Sequence, residues 1–182
     1  MNIILDLMGS TIIGGLIVSM LINFNMFQSN SIISSDSELQ LQQNAKTLAE
    51  ILNHDLRKIG YRYDNTAFVE ADSERISFYS DIDRDGNIEL VTYMLGDTTE
   101  VSGTINPRDR ILCRIVDNDT LSGPSLGLIK TKFSYFNGSG LATTTFSEIQ
   151  YVKAELWIET IEPVDGGYPF TYWELIINPR NL

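Results

Sequence analysis

The longest apolar stretch of the chain lies at its N-terminus. Residues 1–27 carry one charged side chain, Asp6, among apolar and small polar residues. At about 1.5 Å per residue, a helix of this length reaches roughly 40 Å, more than the ~30 Å hydrocarbon core of a bilayer. The pattern predicts a helix that is either a membrane anchor or uncleaved signal sequence, or a helix that packs against other helices. A signal peptide fits poorly, because no basic residue precedes the apolar run.

A second helical pattern follows a polar, serine-rich stretch at residues 28–37. Within it, Ser35 and Glu38 match the S-x-x-E capping box that can begin a new helix, although the same residues fit a polar turn inside one helix. We favour a continuous or locally bent helix, which Gly60 is expected to end. Apolar residues then recur at steps of three and four and predict one buried stripe, made of Leu41, Ala45, Leu48, Leu52, Leu56 and Ile59.

Beyond Tyr61 the pattern becomes that of strands. Segments rich in β-branched and aromatic residues predict strands at 75–81, 88–95, 110–116, 126–136, 148–160 and 170–177. In the fifth, apolar and polar residues alternate, which predicts a buried face formed by Val152, Ala154, Leu156 and Ile158.

The predicted fold class is α+β, with a long N-terminal helix packed on an antiparallel β-sheet head. The first half of the helix is apolar and the second half is amphipathic. We expect three segments, an apolar helix at 1–27, an amphipathic helix at 28–62 and a β-rich head at 63–182.

Composition and charge narrow the possible partners and sites. A chain of 182 residues holds one globular head beyond the helix, and its formal net charge of −11 argues against binding to nucleic acid, whose phosphates would repel it. Cys113 is the only cysteine and His54 the only histidine. An intramolecular disulfide and a Cys/His metal site are therefore excluded, and we expect a buried structural thiol and a solvated histidine.

One loop carries candidate metal ligands. Asp81, Asp83 and Asp85 occupy the first, third and fifth positions of a calcium-loop pattern with Gly86 at the sixth, and Glu89 adds a further carboxylate. Position twelve is Thr92 rather than the usual bidentate glutamate, and the flanking segments are predicted strands. The loop is therefore either a calcium site or an acidic hairpin turn around Asp85 and Gly86.

A motif for covalent catalysis also occurs by pattern alone. Residues 123–127 read GPSLG and fit the G-x-S-x-G nucleophile elbow. That motif requires a strand before it, a helix after it and a later histidine, whereas here a turn precedes it, a strand is predicted to follow, and His54 lies upstream. No acid/base pair or phosphate-binding loop is recognisable, so we do not expect an enzyme.

The apolar N-terminus carries a family resemblance. In NIILDLM at 2–8, Asp6 is the fifth residue of an apolar run and is followed by Leu7 and Met8, and IIGGLI comes next at 12–17. This order resembles the start of a mature type IV pilin. A second block, with LQQNA at 41–45, DLR at 55–57 and IGY at 59–61, is similar to the amphipathic half of the same helix in minor pilins and pseudopilins. The resemblance to this superfamily covers about the first sixty residues.

Three features depart from that family. Its members carry Glu where this chain has Asp6, and many have a proline near residue 22, where this chain reads LIN at 21–23. Pilin precursors also carry a basic leader that ends in Gly, whereas Met1 alone precedes the similar run. Either the sequence begins after processing, or this is a leaderless relative.

The resemblance implies a structural function. Subunits are inserted in the inner membrane, are handled by pilus assembly machinery, and form a homo-oligomeric helical filament at the cell surface with the heads outside. Asp6 is expected to pair with the N-terminal amine of Met1, or of Asn2 if Met1 is removed, in a neighbouring subunit, because a carboxylate in an apolar helix usually has a partner. The alternative is an unpaired Asp6 at the membrane interface. Gly9, Gly14 and Gly15 are expected to let helices approach closely. The alternatives are a minor subunit at the filament tip or start, and a monomeric binding module on a membrane tether.

Overall fold

One helix precedes all the strands of the protein. The computed structural model describes residues 3–101, 103–117, 119–123, 125–164 and 166–182. Helix α1 (Ile3–Leu56) is continuous, so the capping-box residues Ser35 and Glu38 lie inside it and begin no new helix. The chain divides into two compact units, Met1–Leu39 and Gln40–Leu182, and α1 contributes residues to both.

The helix ends earlier than its glycine signal predicted. After Leu56 the chain turns, and Gly60 lies at the end of that turn with a φ of 75°. A Cβ atom at this position would lie 2.9 Å from the carbonyl oxygen of Asn181. Only glycine combines this left-handed conformation with so close an approach, so Gly60 shapes the turn rather than the last helical residue.

The strands form two antiparallel sheets. The first has the order β1-β2-β3-β4-β5 and the second the order β6-β7-β8. The strands are β1 (Phe68–Ala71), β2 (Arg75–Ser80), β3 (Glu89–Leu95), β4 (Leu112–Val116), β5 (Asp119–Ser122), β6 (Leu128–Phe136), β7 (Tyr151–Glu159) and β8 (Phe170–Ile177). Two short 3-10 helices, Thr98–Glu100 and Phe146–Glu148, lie in the connections. The α+β fold class is therefore confirmed.

The two sheets are joined by hydrogen bonds between their strands and loops. The amide of Phe133 on β6 donates to the carbonyl of Ser73 over 2.7 Å, and the hydroxyl of Tyr135 donates to the carbonyl of Asp72 over 2.9 Å. The amide of Arg110 donates to the carbonyl of Leu128. These bonds hold the β1–β2 turn and the segment before β4 against the second sheet.

One hydrophobic core lies inside the unit 40–182. The predicted stripe of α1 is buried at every position from Leu41 to Leu56, and Ile59 continues it. Its partners come from both sheets, and they include Phe68, Ile76, Phe78, Val91, Tyr93, Leu128, Phe133, Tyr135, Leu156, Ile158 and Ile177. Strand β7 alternates as predicted, with Val152, Ala154, Leu156 and Ile158 buried. Cys113 is buried as well and is a free thiol.

A buried carboxylate fastens the helix to the first sheet. Asp55 accepts hydrogen bonds from the Tyr93 hydroxyl and from Arg114 Nε, each over 2.6 Å, and its other oxygen lies 2.9 Å from Nδ1 of His54. Burial would raise the pKa of Asp55, but the hydrogen bonds from Tyr93, Arg114 and His54 outweigh it and hold the pKa below its ordinary value. His54 keeps its ring largely in solvent, as expected for a histidine near a helix end.

The strand prediction was wrong in two respects. It placed all strands in one sheet, and it missed β1 and β5. Strand β1 spans four residues, too few to establish a period, and all four residues of β5 are exposed, so no alternation marks it. Of the six predicted strands, 170–177 has the bounds of β8, and the other five are longer than the observed strands.

Candidate functional site

The most unusual surface of the chain is the apolar part of α1. Almost every described side chain between Ile3 and Leu39 is exposed, and Ile3, at 78% exposure, marks the upper end of the range. The large apolar residues lie all around the helix and include Ile4, Leu7, Met8, Ile12, Ile13, Leu16, Ile17, Val18, Met20, Leu21, Ile22, Phe24, Met26, Phe27, Ile32 and Ile33. A helix that is apolar on all sides is one that membrane or other helices cover.

Polar side chains on the same segment bond to the helix itself. The hydroxyls of Ser10 and Thr11 donate to the carbonyls of Leu7 and Met8 over 2.9 Å. Three others bond back to the carbonyl four residues earlier, namely Asn23, Asn25 and Ser37. Since a polar group without a partner is costly in an apolar medium, these bonds suit the segment to a surrounding without water.

Of the two residues predicted to form an ion pair between subunits, Asp6 and Met1, the structure describes only Asp6. Asp6 lies in the first turn of α1 with an exposed side chain, and no ion pair involves it within the described part of the chain. Met1 lies outside the described residues. A pairing of Asp6 with the amine of a neighbouring subunit therefore stays a prediction.

The three glycines of the apolar segment have no conformational reason to be glycine. A Cβ atom added at Gly9, Gly14 or Gly15 would meet nothing within 4 Å, and all three lie in regular helix. Glycine inside a helix costs roughly 1 kcal/mol relative to alanine. Among the residues that the structure describes, nothing therefore requires a glycine at these three positions.

By length and composition, α1 meets the requirement for a membrane span. The region Asp6–Leu56 contains an 18-residue window with a mean hydropathy of 1.8, none of it buried within the protein. This is the one helix of the described chain that satisfies both criteria. The observation is compatible with membrane insertion.

The acidic loop between β2 and β3 brings together three of its four predicted ligands. Carboxylate oxygens of Asp81, Asp83 and Glu89 lie within 4.8 Å of one another. Asp85 lies apart from this group, because its two oxygens accept from the backbone amide and the side-chain amide of Asn87. These hydrogen bonds lower the pKa of Asp85, and the bond from the backbone amide has the larger effect.

A cation that sequence reasoning missed also faces the loop. Arg62 donates to Oδ2 of Asp81 over 2.8 Å, and this contact raises the pKa of the guanidinium. Arg62 follows the end of α1 and has a φ of 61°, a conformation that few residues other than glycine, asparagine and aspartate adopt readily. No periodicity or motif links it to a carboxylate 19 positions away, so the sequence held no signal for this contact.

The G-x-S-x-G segment lies between two strands. Strand β5 ends at Ser122, so a strand and not the predicted turn precedes the motif, whereas β6 begins at Leu128, so a strand follows it as predicted. Pro124 lies outside the described residues. The Ser125 hydroxyl donates to Oδ2 of Asp109. In a nucleophile elbow the serine would instead lie at a strand-to-helix turn with a histidine as its base.

Comparison with known proteins adds no relative. No family model, no curated protein and no solved structure matches this chain.

Proposed function

We propose that this chain is a structural subunit of an extracellular filament of the type IV pilus kind. Its apolar helix inserts in the membrane before assembly and then packs with copies of itself in the filament core, with the acidic, β-rich heads outside. The observation that carries the proposal is that exposed apolar side chains cover all sides of the helix over residues 3–27. Each such side chain contributes roughly 1.5–3 kcal/mol when it is fully removed from water.

The arrangement of helix and sheets is compatible with a pilin-like fold, since a long N-terminal helix packs its second half on antiparallel strands. The resemblance of the first sixty or so residues to pilins supports the same function. Because the chain departs from the family at Asp6 and at residue 22, the proposal includes two kinds of subunit. One is the main subunit, and the other is a minor subunit at the tip or the start of the filament.

A monomeric head on a membrane tether is the second candidate. The length and hydropathy of α1 favour it equally, because a tether needs no more than an apolar span. The two functions differ in what they require of individual residues. A tether tolerates any apolar sequence, whereas a packed helix depends on Asp6 and on its glycines.

The deciding experiment is electron microscopy of the full-length protein recovered from cell-surface shear fractions without detergent. A filament subunit gives uniform thin filaments in which this chain repeats. Recovery solely as monomers in detergent extracts would reject the main-subunit proposal in favour of the tether or of a minor component.

Asp6→Asn tests the register contact in the same assay. In the proposed filament the carboxylate of Asp6 neutralises the amine of the next subunit, so its loss should abolish filaments while detergent extracts still contain the membrane-inserted chain. Asp36→Asn is the matched control, since it removes an exposed carboxylate from the same helix. Normal filaments from Asp6→Asn would show that the pairing does not set the register.

A further inference from the structure

We propose that the loop between β2 and β3 binds a calcium ion through Asp81, Asp83 and Glu89. The strand register places two of these residues close together, because Ser80 pairs with Glu89 and Asp81 directly follows Ser80. Asp83 reaches the same point from within the loop, and ligand oxygens of all three residues lie within 4.8 Å of one another. The site does not depend on the proposed filament, because a tethered monomeric head would contain it too.

A buried oxygen at this point lacks a partner. Asp81 is fully buried, and while its Oδ2 accepts from Arg62, its Oδ1 has no hydrogen-bond partner among the described residues. A buried carboxylate oxygen without a donor is costly, since it has lost its water and gained nothing in return. A bound cation next to Asp83 and Glu89 supplies what Oδ1 lacks.

The local charge matches a divalent ion. Asp81, Asp83 and Glu89 carry three negative charges, and Arg62 is the cation in direct contact with them, which leaves a formal charge of −2. At the edge of the loop, Lys58 binds the carbonyl of Ile82, and the loop also contains Asp85 and the exposed Arg84, so that the wider surroundings carry a formal charge of −1. Three carboxylates at this distance repel one another, and a divalent cation turns the repulsion into attraction.

The donor atoms select calcium among divalent ions. All three side chains offer carboxylate oxygen, which hard cations prefer, whereas zinc and copper favour nitrogen and sulfur ligands. Calcium accepts six to eight oxygens in flexible geometry and commonly completes its shell with backbone carbonyls and water. A short hairpin loop can meet these demands of calcium more easily than it can provide the strict octahedral geometry that magnesium requires.

The site also lies next to the C-terminal end of α1, where the chain turns towards the first sheet. Lys58 and Arg62, from the turn after α1, both contact the loop, and the amide of Asp81 donates to the carbonyl of Tyr61 over 3.0 Å. A cation bound to Asp81 and Glu89 would hold the β2–β3 hairpin in the position that these contacts require. Calcium should therefore stabilise the whole head rather than the loop alone.

The test is calorimetry and thermal unfolding of the full-length chain in detergent after treatment with a chelator. Titration with calcium chloride should give saturable binding, and calcium at a hundred times Kd should raise Tm by roughly 5–10 °C. Magnesium chloride at the same concentration should give a clearly smaller shift. The absence of a calcium-dependent shift in the wild-type chain would overturn the proposal.

Two variants locate the ion. Asp83→Asn and Glu89→Gln keep the acceptor oxygens that bond to the amides of Asp85 and Ile82, so they remove the charge alone. Each should lower calcium affinity at least tenfold and reduce the Tm shift by about half or more at the same calcium concentration, while Tm in chelator stays unchanged or rises as repulsion is relieved.

Asp85→Asn is the matched control, because it removes an exposed charge from the same loop outside the three-carboxylate group. It should retain the full calcium response. If Asp83→Asn and Glu89→Gln also retain it, the ion binds elsewhere and the assignment is wrong.

Discussion

At the residue scale, Asp55 is the clearest case of opposed effects. A carboxylate that is 4% exposed loses most of its hydration, which by itself favours the neutral acid. Tyr93 and Arg114, which face each other on β3 and β4, both donate to it and reverse the balance. Asp55 therefore stays ionised and links α1 to two strands at once.

Removal of this charge should destabilise the head substantially. Asp55→Asn leaves Arg114 partly buried without its carboxylate, and we expect the free energy of unfolding to fall by roughly 3 kcal/mol. Tyr93→Phe removes one donor and should cost less. Chemical denaturation of the full-length chain in detergent measures both. Glu50→Gln, in an exposed pair with Lys46, is the control and should change stability by less than about 0.5 kcal/mol.

The same carboxylate makes a signed contribution to acid stability. Because the pKa of Asp55 is lower in the folded chain than in the unfolded chain, its contribution is complete above about pH 4–5 and is lost as the pH falls through the folded pKa. The difference in stability between wild type and Asp55→Asn should therefore shrink toward acid pH. A difference that is the same at pH 7 and pH 3 would mean that the ionised form is not what stabilises the head.

At the element scale, α1 combines two patterns of apolar residues in one continuous helix. From Leu41 onward a single stripe is buried and the opposite face is polar, which is how a helix packs on one side of a sheet. From Ile3 to Phe27 the helix is apolar all round, and Ser10 and Asn25 bond to its own carbonyls. The first pattern reflects contacts within the chain, and the second is typical of a helix that an apolar surrounding covers.

Glycine substitutions test the proposed subunit contacts at this scale. Gly14→Leu and Gly15→Leu should favour the isolated helix, because leucine is the better helix former by somewhat under 1 kcal/mol. If the helix packs closely in a filament, the added side chains should nevertheless reduce the yield of filaments in shear fractions. Membrane insertion should be unchanged.

Val18→Leu is the control for that experiment, since it enlarges a side chain that is already bulky and exposed on the same helix. It should assemble like the wild type. Equal filament yields from the glycine variants and from Val18→Leu would show that assembly does not depend on close packing at Gly14 and Gly15.

At the scale of the whole molecule, the first and second units should differ in their need for an apolar surrounding. Every buried residue among those described belongs to 40–182. A fragment of residues 40–182 should therefore be soluble without detergent and melt within a few degrees of the head of the full-length chain. Scanning calorimetry and size-exclusion chromatography measure these properties. Aggregation or a much lower Tm would show that residues 1–39 contribute to the fold of the head.

Local patterns in the sequence predicted what depends on local geometry. The stripe from Leu41 to Leu56 and the alternation in β7 each follow from the period of one element, so both were predictable. The division of strands between two sheets depends on pairings between distant segments, which no period encodes. The calcium pattern likewise included Asp85, whose carboxylate instead accepts from Asn87, and it missed Arg62, which donates to Asp81. Both contacts depend on turns of the backbone that the pattern does not encode.

The buried thiol of Cys113 is a natural probe of how often the first sheet opens. Burial and the neighbouring carboxylate of Glu100 raise its pKa, so the closed head exposes little of the reactive thiolate. As the only cysteine in the chain, it is the single place where an alkylating reagent can attack a thiol. The rate of alkylation of the unmodified protein thus reports how often the first sheet opens. That rate can be compared in detergent, in lipid vesicles and with or without calcium chloride, without an engineered label.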